Sequence, residues 1–454
     1  MLSAMVLSCC AIAWRRVQAE FRKITQSHSS ATLLSLVFFT CVVWGCGGVA
    51  TPASVSGPSI DSANTITEPS GSATSTSVNV LSCIVAKCTF FPPPPSCESG
   101  AACDTRFVFW YENWQSSTLK QLSGAQVMIG VPTAAISDIH QANGIALPYV
   151  TYYQSADPGT FILNRADLPS VGFYTDGQYL QSTMDSGWDV LCPNSSILRQ
   201  RVAAQLNNLI AGGYNGLFID NTIAAPAASA TCTASHAHVT PEQRGDDSYL
   251  SLLAEVRSEL LEASPNAIII TNPGNPAWAD QLGTGAEPSL WQLSDLVLWE
   301  SYGYGADLSS HDNWQATISS SYQYAADPAK AFKILALSYP QSTTEALFSF
   351  AIARMFGFRW TANLGVNGKS GHFGEFASAM PYSVGVPQGP LYSMNDLLAR
   401  YFSNGIAFAN SGASSITITV PQAGQLVTAG GTQAIEANAT LPLPSHTAAI
   451  LLFK

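Results

Sequence analysis

From Arg106 onward the chain repeats one pattern: a short, almost wholly apolar run, a polar residue or two, then a longer mixed stretch. The runs are "RFVFWYENW", "AQVMIGV", "IALPYVTYY", "GLFIDN", "AIIITNP", "DLVLWES", "FKILALSYP" and "FRWTAN". A strand covered on both faces reads as such an unbroken apolar run, whereas a strand with one wet face alternates. The stretches between several runs read as helices. Ser195 to Ala211 carries Ile197, Val202, Leu206, Leu209 and Ile210 on one stripe, and Tyr249 to Leu261 repeats the spacing. Pro265 and Asn266 then mark a stop. Alternating strands and helices imply a parallel sheet under helices, and this number of units in about 290 residues predicts an α/β fold of the (β/α)₈ TIM-barrel type. A doubly wound open sheet is the alternative, but it calls for a Gly-rich first turn, which "WYENWQ" lacks.

Past Asp396 the period changes to two. "GIAFAN", "SSITITVP", "GQLVTAGG" and "TAAILLFK" alternate between Gly, Asn and Pro turns. The expectation is a barrel at 105–395 followed by a small antiparallel β-sandwich domain at 396–454, braced against it because so short a segment buries too little alone.

The other end of the chain differs. Arg15, Arg16, Arg22 and Lys23 precede the apolar stretch "ATLLSLVFFTCVVWG", which ends at Cys46. It is shorter than the roughly 20 residues of a membrane span, so 1–46 reads as an export segment, with "VVWGC" resembling a bacterial lipoprotein signal acylated at Cys46. The expected location is the cell envelope as a lipoprotein, or the periplasm or medium, with membrane contact only through that N-terminus. Residues 47–104 are rich in Ser, Thr and Pro and close on "FPPPPSCESG"; they read as a linker that offers too little burial to order itself. Cys83, Cys88, Cys97, Cys103, Cys192 and Cys232 follow the export segment, an even set for an oxidising compartment, with Cys97–Cys103 and Cys192–Cys232 the preferred pairs. A zinc site on Cys232, His236 and His238 competes with the second pair, but no second cluster completes it, so no metal is expected. A net charge of -11 leaves no basic face for phosphate backbones and excludes nucleic acid as a partner.

In a barrel of this kind reacting groups stand at the C-terminal ends of the strands. That rule selects Glu112, Tyr152, Tyr153, Asp220, Asn221, Asn272, Glu300, Tyr302 and Trp360. Acids, amides and aromatic rings suit a carbohydrate, whose hydroxyls pair with carboxylates and amides while its C–H faces stack on rings. Glycosidic cleavage needs two carboxyl groups, and Asp220 after "GLFI" and Glu300 after "LVLW" are the best pair. The remaining members of the set are expected to bind substrate, and the chemistry needs no cofactor. The loop "TIAAPAASATCTASHAHVT" after Asp220 is a candidate cover for the cleft. Neither a Gly-x-Ser-x-Gly, a His-Glu-x-x-His nor a Gly-x-Gly-x-x-Gly element occurs, and "GVNGKSG" lacks the leading glycine of a phosphate loop.

"GYNGLFIDN", "ITNPG", "LWESYGYG" and the tail from "GVPQGPLYSMNDLLARYFSNGIAFANSG" to "LPSHTAAILLF" resemble bacterial secreted and lipoprotein-type glycosyl hydrolases, and more distantly the endo-α-1,4-polygalactosaminidase barrels. The resemblance implies a TIM barrel with a terminal β domain, with Asp220 and Glu300 as its carboxylates. An acid on strand four and another on strand six also resembles α-galactosidase barrels, where the first is nucleophile and the second acid/base. The resembling barrels often carry Asp-Gly where this chain has Asn215-Gly216. The expected activity is hydrolysis of O-glycosyl bonds in an exported poly- or oligosaccharide hydrolase. A glycan-binding barrel without turnover and a surface scaffold that uses its β domain are the competing functions, and oligomeric state stays open.

Overall fold

The computed structural model describes residues 77–79, 106–109, 127–156, 165–175, 177–182, 187–222, 232, 236–239, 245–282, 288–305, 312–362, 380–394 and 396–453. Cys46 and the whole 1–46 segment, Glu112, the "GVNGKSG" loop and the Cys97–Cys103 pair lie outside the described residues. No helix among the described residues is long and apolar enough to cross a membrane.

All eight apolar runs contain strands, and their mutual pairing is parallel. β1 (Phe107–Phe109), β2 (Val127–Ile129) and β3 (Ile145–Leu147) form one sheet. β4 (Tyr149–Thr151), β5 (Gly216–Asp220), β6 (Ile268–Thr271), β7 (Leu296–Trp299), β8 (Ile334–Ser338) and β9 (Arg359–Ala362) form the second. The expected closed ladder is therefore found as two parallel sheets. They meet at Pro148, which has no N–H to donate and splits one run into β3 and β4. There Asn215 bridges the gap: its N–H donates to the Ala146 carbonyl at 3.0 Å, and its side-chain oxygen accepts from the Ala146 N–H at 2.9 Å. At the other edge the Thr361 hydroxyl donates to the Phe107 carbonyl at 2.7 Å, which sets β9 beside β1.

The strands alternate between two apolar compartments. Phe218, Ile270, Leu296, Leu298, Leu335 and Leu337 share one core with Phe107, Phe109, Val127 and Ile129. Their neighbours Val150, Leu217, Ile219, Ile269 and Val297 pack outward against the helices. Of these α1 (Ser196–Ala211) sits on its Ser195 cap, whose side chain accepts from the Leu198 N–H. α2 (Gly245–Ala263) packs beside it, and buried Leu198, Val202 and Leu206 meet Leu252, Leu253 and Val256 in the same core.

Residues 387–453 supply a β-sandwich. β10 (Pro387–Met394), β11 (Leu397–Phe402), β12 (Gly405–Asn410), β13 (Ile416–Thr419), β14 (Gly424–Thr428), β15 (Gly431–Ile435), β16 (Thr440–Leu443) and β17 (Thr447–Phe453) divide between two sheets. The larger is antiparallel in the order β10-β11-β12-β17-β14-β15. The smaller pairs β13 with β16, and Ser77–Asn79 joins it in parallel to β13, so part of the expected linker is a strand. The larger sheet also starts ahead of the expected boundary at 396, because β10 already pairs with β11.

The joint between the parallel strands and the sandwich explains an odd helix. α3 (Thr343–Phe356), "TTEALFSFAIARMF", is buried at every position from Ala346 to Phe356. A helix apolar all round needs cover on all sides, and α3 has the parallel strands on one side and the sandwich on the other. "GIAFAN" fits it from the sandwich side: Ala407 and Ala409 face the α3 core, while Ile406 and Phe408 face the sandwich interior. Small residues toward the helix allow close approach. The Arg400 guanidinium donates to the Met355 carbonyl at the helix end at 2.5 Å, and that of Arg354 to the Gly385 carbonyl at 2.7 Å. Burial pulls the Arg400 guanidinium down to about 10.

Candidate active site

The alternation of the strands selects the site. Asp220, Asn272, Glu300 and Tyr339 each stand two residues beyond an inward-facing apolar residue, respectively Phe218, Ile270, Leu298 and Leu337. With side chains repeating every second residue, all four come off neighbouring strands on the inner side. Immediately after both acids the chain turns left-handed, at Asn221 (φ 52°) and Ser301 (φ 59°), so each carboxylate marks where its strand leaves the sheet.

The five polar side chains make one hydrogen-bonded row. Tyr149 donates its hydroxyl to Asp220 Oδ2. Asn272 Nδ2 donates to Asp220 Oδ1 at 2.6 Å and to Glu300 Oε2 at 3.0 Å. Tyr339 donates to Glu300 Oε1 at 2.6 Å. The orientation of the amide is fixed from behind, since Asn272 Oδ1 accepts the Gly274 N–H at 2.9 Å and only the nitrogen can face the acids. Laid end to end, the two Asn272 bonds cap the gap between those carboxylate oxygens at about 5.6 Å.

Gly274 ties the two acids' supports together. Its carbonyl accepts the Glu300 N–H at 2.8 Å. It has φ 85°, and a Cβ there would come within 3.0 Å of the Trp278 ring. Trp278 belongs to the helix Pro276–Gln281, started by Asn275 capping and by Pro276 in the first turn, and is an exposed large ring beside the site.

Burial is the main influence on Asp220 and holds its carboxyl above the usual aspartate value of 3.8. The Tyr149 hydrogen bond pulls the other way, the Glu300 charge pushes up again, and the Asn272 amide and the Asn221 N–H pull down. The result is a desolvated acid whose anion is nonetheless provided with donors.

Several expected ligand contacts lie elsewhere. Tyr152 and Tyr302 are fully buried, and Trp360 is 1% exposed. Tyr152 keeps the outward phase of Val150 and joins the core under the helices, where Tyr153 makes an edge contact with Tyr249 at 5.8 Å. Tyr302 and Trp360 belong to the core around α3, with the Trp360 indole donating to Ser338 and Ser349. A ring enclosed in a core has no face for a sugar. Tyr149 and Tyr339 instead touch the acids, on strands whose inward phase the packing reveals. Asn215 stands at the opposite end of β5 from Asp220, bonded to Ala146 and His140, and so plays a structural part.

No protein-family model matches the chain, and no curated protein matches it. Among solved structures it is similar to the glycoside hydrolase domain of PelA from Pseudomonas aeruginosa, at 15% identity and TM-score 0.40 over 59% of this chain and 98% of that one. It is also similar to a noncanonic maltogenic alpha-amylase, AmyB, from Thermotoga neapolitana, at 9% identity and TM-score 0.47 over 78% of this chain and 99% of that one. A pullulanase complexed with maltotriose, from Anoxybacillus sp. LM18-11, gives 9% identity and TM-score 0.48 over 78% and 70%. These neighbours are glycoside hydrolases, at identities that carry no activity across.

Away from the acids, Cys192 and Cys232 form a disulfide of the expected pairing. Beside them lie His236 and His238, whose rings meet at 5.0 Å. One ligand atom from each of these four residues falls within 4.8 Å of the others.

Proposed function

We propose that this chain is an exported glycoside hydrolase acting on a poly- or oligosaccharide, with Asp220 and Glu300 as its two carboxyl groups in a (β/α)₈ barrel. The observation that carries the proposal is the shared Asn272 amide, which holds two strand-end carboxylates side by side. The two oxygens that share the amide stand at most about 5.6 Å apart, and we read the pair as a retaining one. A retaining pair stands roughly 5 to 5.5 Å apart, whereas inversion needs roughly 6.5 to 9.5 Å to admit a water.

In this reading Asp220 attacks the anomeric carbon as Glu300 gives its proton to the departing glycosidic oxygen. Glu300 then takes a proton from water, whose oxygen displaces Asp220 from the sugar. The division of roles follows the resemblance to α-galactosidase barrels. Export, and a lipid anchor at Cys46, follow from the N-terminal sequence.

The test is turnover of a polysaccharide panel that includes α-1,4-linked galactosaminan, followed by proton NMR of the first-formed anomer. Retention is expected. Asp220→Asn should abolish turnover, with azide restoring it through an inverted glycosyl azide if Asp220 is the nucleophile. Binding without turnover by the wild type would make the chain a glycan-binding barrel and overturn the enzyme.

A further inference from the structure

We propose that Cys192, Cys232, His236 and His238 form a Cys₂His₂ site that takes Zn²⁺ when the Cys192–Cys232 disulfide is reduced. The sequence offers three of these ligands close together and leaves them one short. The fold supplies the fourth. Cys192 precedes α1, and the 236–239 segment runs back along it, with Ser196 N–H donating to the Ala237 carbonyl and Val239 N–H to the Asn194 carbonyl, each at 3.0 Å.

The donor geometry is that of a metal ligand set. His236 and His238 are two apart, and His238 makes a bridge with Ser195, so in an extended segment both rings fall on one side. His238 Nε2 lies 3.9 Å from Cys192 Sγ. His236 Nδ1 faces the Pro169 carbonyl at 3.3 Å and, since a carbonyl only accepts, must carry the proton. That leaves Nε2 as a bare lone pair, and it is buried with no hydrogen-bond partner. A backbone carbonyl holding one ring nitrogen while the other is bare is how ligating histidines are oriented. Tetrahedral zinc with bonds of roughly 2.0 to 2.3 Å places its ligand atoms about 3.3 to 3.8 Å apart, inside the 4.8 Å limit observed, and the two sulfurs, bonded to each other here, part to that spacing on reduction.

Disulfide and zinc exclude each other, because each uses both sulfurs. A dithiol reductant passes two electrons and two protons to the Cys192–Cys232 bond and itself becomes a disulfide. The two thiols then lose their protons to solvent as the thiolates bind Zn²⁺. In either state Cys232, His236 and His238 stay fastened to the segment before α1 on both sides of a redox change.

The experiment uses the full chain, oxidised or reduced with a dithiol, loaded with Zn²⁺, freed of excess metal and assayed for zinc per chain. A His236→Ala, His238→Ala double variant, checked for wild-type melting in the oxidised form, controls for the other cysteines. Reduced wild type should hold one more zinc per chain than the reduced variant, with affinity at this site falling about 100-fold or more in the variant. With Co²⁺ it should show tetrahedral and sulfur-to-metal bands that the variant lacks. Zn²⁺ should also raise the melting temperature of the reduced wild type and leave the oxidised form unmoved. Equal zinc in wild type and variant, or no rise in melting temperature on adding Zn²⁺ to the reduced chain, overturns the site. Neither outcome bears on glycoside hydrolysis.

Discussion

Asp220 Oδ1 accepts a 2.6 Å hydrogen bond from the Asn272 amide, and the same nitrogen reaches Glu300. One neutral donor thus holds two carboxyl groups together. Replacing Asn272 with Ala removes it and leaves the acids facing each other. Turnover should fall about 100- to 1,000-fold, the scale of losing one placed donor at a charged reaction centre. Measuring kcat and KM separately checks this, and the loss should lie in kcat.

Tyr149 lowers the carboxyl of Asp220 through its hydroxyl. In Tyr149→Phe that influence disappears and the Asp220 carboxyl rises further. The acid limb of the pH profile for kcat/KM should therefore move to higher pH, which a rate series across the acid range reads directly. Tyr339→Phe removes the matching donor to Glu300 and should cost about 1.5 to 3 kcal/mol of transition-state stabilisation, the usual strength of a hydrogen bond to a charged group.

Burial raises the Asp220 carboxyl in the folded chain, so the fold holds this proton more tightly than the unfolded chain does. The sign follows: stability declines as pH rises from about 3.8 through the raised folded value, and the deficit is complete above it. Asp220→Asn should thus melt higher than wild type at neutral pH, and the difference should vanish below the ordinary aspartate range. Melting curves across pH test it.

Trp278 is 43% exposed on the helix that follows Gly274. Under the carbohydrate reading it is a stacking platform at the edge of the site. Trp278→Ala should raise KM for a polymer by roughly 2- to 10-fold, matching about 0.5 to 1.5 kcal/mol for an aromatic contact. A two-residue sugar substrate too short to reach the ring should be unaffected.

Gly274→Ala places a side chain at φ 85° and against the Trp278 ring. The left-handed backbone alone costs about 1 to 2 kcal/mol, so the unfolding free energy should drop by that amount. Turnover should drop with it, because the displaced carbonyl and N–H support Glu300 and Asn272.

The sequence carried the strands well and the site unevenly. Unbroken apolar runs announced eight parallel strands, and their polar ends announced Asp220, Asn272 and Glu300. The same continuity hid which residues faced in, because with both faces apolar nothing in "IALPYVTYY" distinguishes Tyr149 from Tyr152. Only packing shows that Tyr149 crosses to Asp220 while Tyr152 follows Val150 outward. The sequence paired Cys192 with Cys232 but left it out of the competing zinc set, because the meeting of all four donors depends on folding across a separation of 40 residues. The β-sandwich was legible from its alternation, but its first strand was missed where "PQGPLYSM" carries Pro387, Gly389 and Pro390.

α3 is buried by the parallel strands and the sandwich alike. A helix serving as a shared wall leaves no hinge at that joint. Sliding the two halves apart would expose Phe348, Phe350 and Phe356 to water, each costing roughly 1.5 to 3 kcal/mol. The parallel strands that carry Asp220 and Glu300 and the sandwich behind them therefore behave as one body across α3.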